Sequence, residues 1–162
     1  MNINIFKIGA LQFQPFEMIY LDEEFLGEPY MLFSTTQKKL LPAGIPVINC
    51  HIQYGANIDI ESVNESFKNA LSFFKIFHSS INYKAFICYS WLLYPPMRQY
   101  LKENSNIKHF AEKFKVIGYC NDAEQAIECL FSDKKINLSS LQNEFIKHKD
   151  SFGFACGIIV IQ

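Results

Sequence analysis

Hydrophobic and polar positions change their period about a third of the way along the chain. Residues 4–13 alternate as a strand does, with a kink at Pro15, and Met18-Ile19-Tyr20 continues the extended run. An acidic turn at Leu21-Asp22-Glu23-Glu24 leads to Tyr30-Met31-Leu32-Phe33, which reads as a return strand, and residues 35–44, polar with Pro42 and Gly44, read as a loop. From Ile45 to Ile52 the run is apolar and β-branched, with Pro46 at its start, where a missing N–H costs least. Ile60, Val63, Phe67, Leu71, Phe74 and Phe77 then recur on one helical face, with Asp59 in the N-cap position.

Strands and helices alternate from there. Tyr83–Tyr89 is nearly continuous in apolar residues, as a central strand covered on both faces should be. Pro95-Pro96 can open a helix near Met97–Leu101, and Phe114–Tyr119 is a further strand. Asp122-Ala123-Glu124-Gln125 and Ser139-Ser140-Leu141-Gln142 have capping-box spacing, the first opening a helix to Phe131, and Phe152–Ile161 closes the chain as a strand. The pattern predicts a single α/β domain over residues 1–162, a mixed sheet flanked by helices with an N-terminal β-ribbon.

Composition narrows the classes. At 162 residues with 49% hydrophobic content and 16 Phe, one sizeable core is available. No apolar run approaches the ~18 residues of a membrane span, and the first residues lack a signal-peptide pattern, so a cytoplasmic protein without a membrane partner is expected. The 5 cysteines are odd in number and mostly set in apolar runs, as reduced buried thiols are, and the sequons at Asn64 and Asn137 carry no meaning without secretion. Net charge is −1 and the lysine clusters, among them Lys134-Lys135, are short, so nucleic acid is not an expected partner. There is no C-x-x-C, no H-x-x-x-H and no tight His/Asp/Glu grouping, so no metal site is expected; a Walker-type phosphate loop and a G-x-S-x-G elbow are also absent.

Candidate chemistry gathers after the two central strands. His51 ends its strand beside the loop Gln53-Tyr54-Gly55-Ala56-Asn57-Ile58-Asp59, where it suits a general base or a hydrogen-bonded sheet-end histidine. Cys50 and His51 point to opposite faces and form no dyad; Cys88 with His51 stays open, as does a buried, inert Cys88. Ser90, Trp91 and Tyr94 follow the central strand at its carboxyl end, where open α/β sheets place ligands; Trp91 suits either a pocket wall or a core plug. Tyr89 and Tyr100 are candidate acids among 8 tyrosines.

Asn49-Cys50-His51-Ile52, Ala85-Phe86-Ile87-Cys88-Tyr89-Ser90-Trp91-Leu92-Leu93, Ser105-Asn106-Ile107 with Phe110, and Phe114 with Val116 together resemble the GNAT-like C-terminal domain of a family of bacterial acyltransferases. Leu11-Gln12-Phe13 looks like the opening of the same domain. The resemblance implies a GNAT-like fold and an acyl-CoA-dependent N-acyltransferase, with Gln53, Gly55, Ala56 and Asn57 at the cofactor, Ser90, Trp91 and Tyr94 at the substrate pocket, and His51 or Tyr89 handling the proton. It implies acetyl-CoA or another acyl-CoA as cosubstrate and a small-molecule amine as acceptor. Two departures stand out: relatives often carry His at the position of Tyr89, and they place another GNAT-like half before this one. Aligned on Gln53, the small positions of the usual superfamily loop fall on Ala56 and Ile58, and Asp59 puts a carboxylate where phosphates would sit. A non-catalytic half that binds a ligand or docks on a partner therefore stays beside the enzyme reading. A lone half should expose sheet edges or an apolar face, so a homodimer or a complex with another chain is expected.

Overall fold

The computed structural model describes residues 4–21, 24–25, 28–132 and 139–162. Asp22 and Glu23 of the predicted acidic turn, Asn137 and the Lys134-Lys135 pair lie outside them. Its centre is a mixed sheet of six strands in the order β1-β2-β5-β6-β8-β7: β1 (Phe6–Ile8), β2 (Leu11–Glu17), β5 (Pro46–His51), β6 (Ala85–Ser90), β7 (Lys115–Cys120) and β8 (Phe154–Val160). The two-residue strands β3 (Glu24–Phe25) and β4 (Glu28–Pro29) pair separately. Helices α1 (Thr35–Leu40), α2 (Ile60–Phe77), α3 (Asn106–Glu112), α4 (Glu124–Phe131) and α5 (Ser140–Lys147) connect the strands. The predicted mixed sheet with flanking helices is the fold observed.

The β5–β6 pair is parallel, and every other pair in the large sheet is antiparallel. Helix α2 supplies the crossover between β5 and β6 and lies against one face. There Val63, Phe67, Ala70 and Phe74 pack on Leu11, Phe13, Ile48, Cys50, Phe86 and Cys88. The Phe13, Phe67 and Phe86 rings meet edge-on with centroids 5.0–5.7 Å apart, the geometry that their quadrupoles favour. The opposite face carries Val47, Ala85, Ile87, Cys156 and Ile158 beneath Met18, Met31 and Leu41. A third cluster, of Trp91, Tyr94, Met97, Phe145 and Phe152 among others, seals one end of the molecule.

Several local expectations give way to tertiary geometry. The first strand is a hairpin: Gly9, at φ +65°, reverses the chain between β1 and β2, and β2 runs on through Pro15. Proline is tolerated there because β1 stops opposite Phe13, leaving that side of β2 unpaired. The turn is tied down by Ser66 of α2, whose Oγ accepts from Ala10 N at 2.9 Å. Residues 35–40 form α1, not a loop, because Ser34 caps the helix through the Gln37 amide. Tyr30–Phe33 is no strand; Met31 N bonds the Leu21 carbonyl alone and its side chain enters the core. Pro95–Tyr100 is a 3₁₀ segment in place of an α-helix, and α3, capped by Ser105, was not anticipated. Asp122 and Gln125 make no capping box: the N-cap of α4 is Ala123, Asp122 Oδ1 accepts from Glu124 N, and Gln125 Oε1 accepts from Trp91 N. The Ser139–Gln142 box on α5 is present as predicted.

The apolar stripe of α2 is also narrower than its sequence pattern. Phe74 is buried at 2% exposure, whereas Phe77, one turn on, stands 69% exposed. Phe74→Ala should therefore lower stability by about 3–5 kcal/mol, while Phe77→Ala should change it by less than about 1 kcal/mol. Denaturant midpoints of the two variants check this, and equal losses would contradict the packing described.

Candidate functional site

The site follows from how β5 and β6 part. Their parallel ladder holds only at Ile48–Phe86 and Asn49–Ile87. Beyond it, each strand stays bound to its outer neighbour: His51 pairs with Gln12 of β2, while Tyr89 and Ser90 pair with Cys156 and Ala155 of β8. The carboxyl ends diverge, and a cleft of about 240 Å³ opens between them. His51, Ile52, Gln53, Tyr89, Ser90 and Trp91 are among its walls, and Cys50 and Cys88 line it as well.

Alternation along the strands sorts these side chains by face. Cys50 and Cys88 both join the core beneath α2, so Cys88 and His51 face opposite ways and the dyad left open by the sequence does not form. The two thiols lie close enough to interact, and burial pushes Cys50 well above the usual thiol range. They are inert wall residues. Cys156 is likewise buried and pushed up, whereas Cys129, at the cleft rim, is exposed and departs from the buried reading.

His51 points to the opposite face, on the side of Val47 and Asn49. Its Nε2–H donates to Gln14 Oε1 at 2.9 Å, which fixes the tautomer and leaves Nδ1 as a lone-pair site. Half-burial lowers its pKa below 6.5 by desolvating the cation, so the ring is neutral at pH 7. The structure shows the sheet-end reading of His51: its ring is hydrogen-bonded to Gln14. Gln14 was missed because its partner is 37 residues away and is reached only through the β2–β5 register.

The other candidates divide. Tyr89 is on the His51 side, but its hydroxyl donates to the Ile19 carbonyl at 3.0 Å, and burial pushes its pKa up. That proton is held by the backbone, which counts against Tyr89 as the acid. Tyr100 pairs with Ser151 at 3.2 Å and stacks on His148, and it is not among the cleft walls. Ser90 lines the cleft, yet its Oγ accepts from Leu92 N at 3.1 Å and caps a 3₁₀ turn. Trp91 is both of the things proposed: one side lines the cleft and the other packs in the third cluster near Phe152, with its amide held by Gln125 at 2.8 Å. Tyr94 is buried, its ring against Tyr119, and it is not among the cleft walls.

The loop after β5 also departs from a phosphate cradle. Gln53 and Tyr54 line the cleft, whereas Gly55, Ala56 and Asn57 are not among its walls, Gly55 at φ +76° in a tight turn closed by Ala56 N on Gln53 O. Asp59 N bonds Asn57 Oδ1, and the Asp59 carboxylate accepts from Ser62 N at 2.8 Å and Ser62 Oγ at 2.9 Å. Those bonds hold the Asp59 carboxyl below the usual range. A carboxylate thus occupies the helix end that an anionic ligand would need.

No group of three or more His, Cys, Asp or Glu side chains among the described residues is placed to hold a metal ion, and no described helix is long and apolar enough to cross a membrane.

Burial of neutral His51 makes stability depend on pH. Unfolded, the ring binds a proton near pH 6.5; folded, it resists until a lower pH. Its contribution is therefore present above pH 6.5 and lost as pH falls from there through the folded value. Urea unfolding at pH 8 and pH 5 should show a smaller acid loss for His51→Gln than for the wild type. An unchanged pH dependence would contradict a depressed His51.

Comparison with known proteins agrees with the fold. Among solved structures, an acyltransferase in complex with decanoyl-CoA and teicoplanin superposes with a TM-score of 0.70 at 19% identity, covering 98% of this chain and 47% of the other. An acyltransferase in complex with decanoyl-CoA gives 0.71 at 18% identity, covering 98% and 46%, and an acyltransferase mutant in complex with octanoyl-CoA gives 0.70 at 18%, covering 98% and 47%. The chain spans about half the length of these proteins, and the likeness shows a shared fold. No curated protein matches the sequence. Residues 5–146 match the family described as the GNAT-like C-terminal domain, and the chain belongs to that family.

Proposed function

We propose that this domain binds an acyl-CoA through its thioester end in the β5–β6 cleft and serves acyl transfer to a small-molecule amine. The observation that carries the reading is the parting of β5 and β6 beyond Asn49 and Ile87, with neutral His51 at the rim. The amine nitrogen attacks the thioester carbonyl, a C–N bond forms and the C–S bond breaks. His51 Nδ1 takes the proton shed by nitrogen, directly or through water, and the departing thiolate takes one from solvent. Gln14 positions the ring for that task. That solved neighbours hold decanoyl-CoA, octanoyl-CoA and teicoplanin supports an acyl-CoA and a small-molecule acceptor for this family's fold.

The Asp59 carboxylate favours a second reading, a non-catalytic half that binds a ligand or docks on a partner domain. Thermal unfolding with acyl-CoA, CoA and ADP separates the two. Ligand at about 100 times its dissociation constant adds ~2.7 kcal/mol, a rise of a few degrees at this size. The acyl-transfer reading predicts such a rise with acyl-CoA, and His51→Ala should then cut transfer by about 10²-fold or more with little change in that rise. No rise with any acyl-CoA would leave the docking reading.

Association with a second copy or with another chain is part of this proposal. Among the described residues, the outer strands β1 and β7 each pair on one side only, and Leu32 and Tyr119, which line a shallow depression beside β7, are 74% and 54% exposed. Light scattering of the purified chain at micromolar concentration should give the mass of a dimer; a monodisperse monomer would remove the homodimer.

A further inference from the structure

Gln125, in the first turn of α4, lines the same cleft as His51, together with Cys129 one turn further along the helix. Its side chain is anchored at one atom: Oε1 accepts from the Trp91 amide at 2.8 Å. A backbone N–H can only donate, so the atom facing it is the oxygen, and the chemistry fixes which way the amide points. The other end, Nε2, carries two N–H bonds and donates to no atom of the described residues. Gln125 is half-buried, and Nε2 is not among the buried polar atoms that lack a partner. A pinned donor group is thus left open on the wall of a cleft with room for a ligand. An amide donor in that position matches a carbonyl oxygen.

The geometry points to Gln125 as a catalytic residue whose Nε2 donates to the thioester carbonyl oxygen of the acyl-CoA, a role that rests on the acyl-transfer reading of the cleft. His51 accepts a proton in that reading, but a lone-pair site cannot stabilise a developing oxyanion. As the amine nitrogen forms the C–N bond, the C=O π pair moves onto oxygen. When the C–S bond breaks, that pair re-forms the carbonyl and the thiolate leaves with the C–S pair. Nε2 keeps its protons throughout, and its hydrogen bond strengthens while the oxygen is anionic. The bond to Trp91 holds the amide in place beforehand, so no reorganisation is needed at the moment of reaction. Tyr89 cannot take this role, since its hydroxyl already donates to the Ile19 carbonyl.

Gln125→Glu separates this role from a structural one, because a carboxylate accepts from Trp91 N as the amide does but has no N–H to give. Isothermal titration of the whole chain compares decanoyl-CoA with decyl-CoA, the thioether in which a methylene replaces the carbonyl. The wild type should bind decanoyl-CoA about fivefold more tightly, as one neutral hydrogen bond implies. Gln125→Glu should melt with the wild type and bind the two ligands equally; its added charge weakens both alike and leaves their ratio as the readout. In ¹H–¹⁵N spectra of the wild type, the Gln125 side-chain NH₂ pair should shift with decanoyl-CoA and less with decyl-CoA, which does not depend on the variant folding. A wild type that binds the two ligands alike, or a variant that keeps the preference, would overturn the role of Gln125 and leave the cleft its acyl-CoA. A wild type that binds neither would remove the acyl-CoA reading itself, and the role of Gln125 with it.

Discussion

Parallel pairing between β5 and β6 that stops after two residue pairs is the constraint on which the rest depends. In the middle of a sheet, strands that separate leave N–H and C=O groups facing each other across a gap, and such groups must find partners. The gap cannot close by drift. His51 is held on its outer side by Gln12, and Tyr89 and Ser90 by Cys156 and Ala155. Helix α2 fixes one face through Phe67 and Phe74, and Met18, Met31 and Leu41 fix the other. The cleft is thus a product of the sheet's register.

Charge within the site follows the same geometry. Desolvation at the cleft rim keeps His51 neutral, and the bond to Gln14 aims it. Burial under α2 keeps Cys50 protonated and makes a thiol beside the cleft a wall, not a nucleophile. The Asp59 cap stabilises α2 through Ser62 and in doing so fills the helix end with negative charge. An acyl-CoA bound here would need its phosphates held elsewhere, and the matched solved structures are about twice as long as this chain.

Elements whose signals are local were legible in the sequence. Asp59 before the α2 stripe, the Ser139–Gln142 box and the apolar runs of β5, β6 and β8 each specify themselves within a few residues. What failed depended on contacts distant in the chain. The Gly9 reversal is secured by Ser66, Gln125 left its helix cap for the Trp91 amide, and Met31 is core without being strand. Helices α1 and α3 are short and capped by single serines, too little periodicity to read. His51 and the cleft's location were legible because strand ends and the loop after them are local. Gln14, the committed hydroxyl of Tyr89 and the burial of Tyr94 were not, since each is set by an element across the sheet or behind it.

Trp91 offers the most direct test of the central claim, that the cleft between the parting strands receives the acyl thioester. It is the only tryptophan, and it lines the cleft from a buried position. Intrinsic fluorescence titrated with decanoyl-CoA should change along a saturable curve, with CoA alone giving a smaller change. Emission that stays constant up to millimolar acyl-CoA would contradict occupancy of the cleft and, with it, the account given for the site.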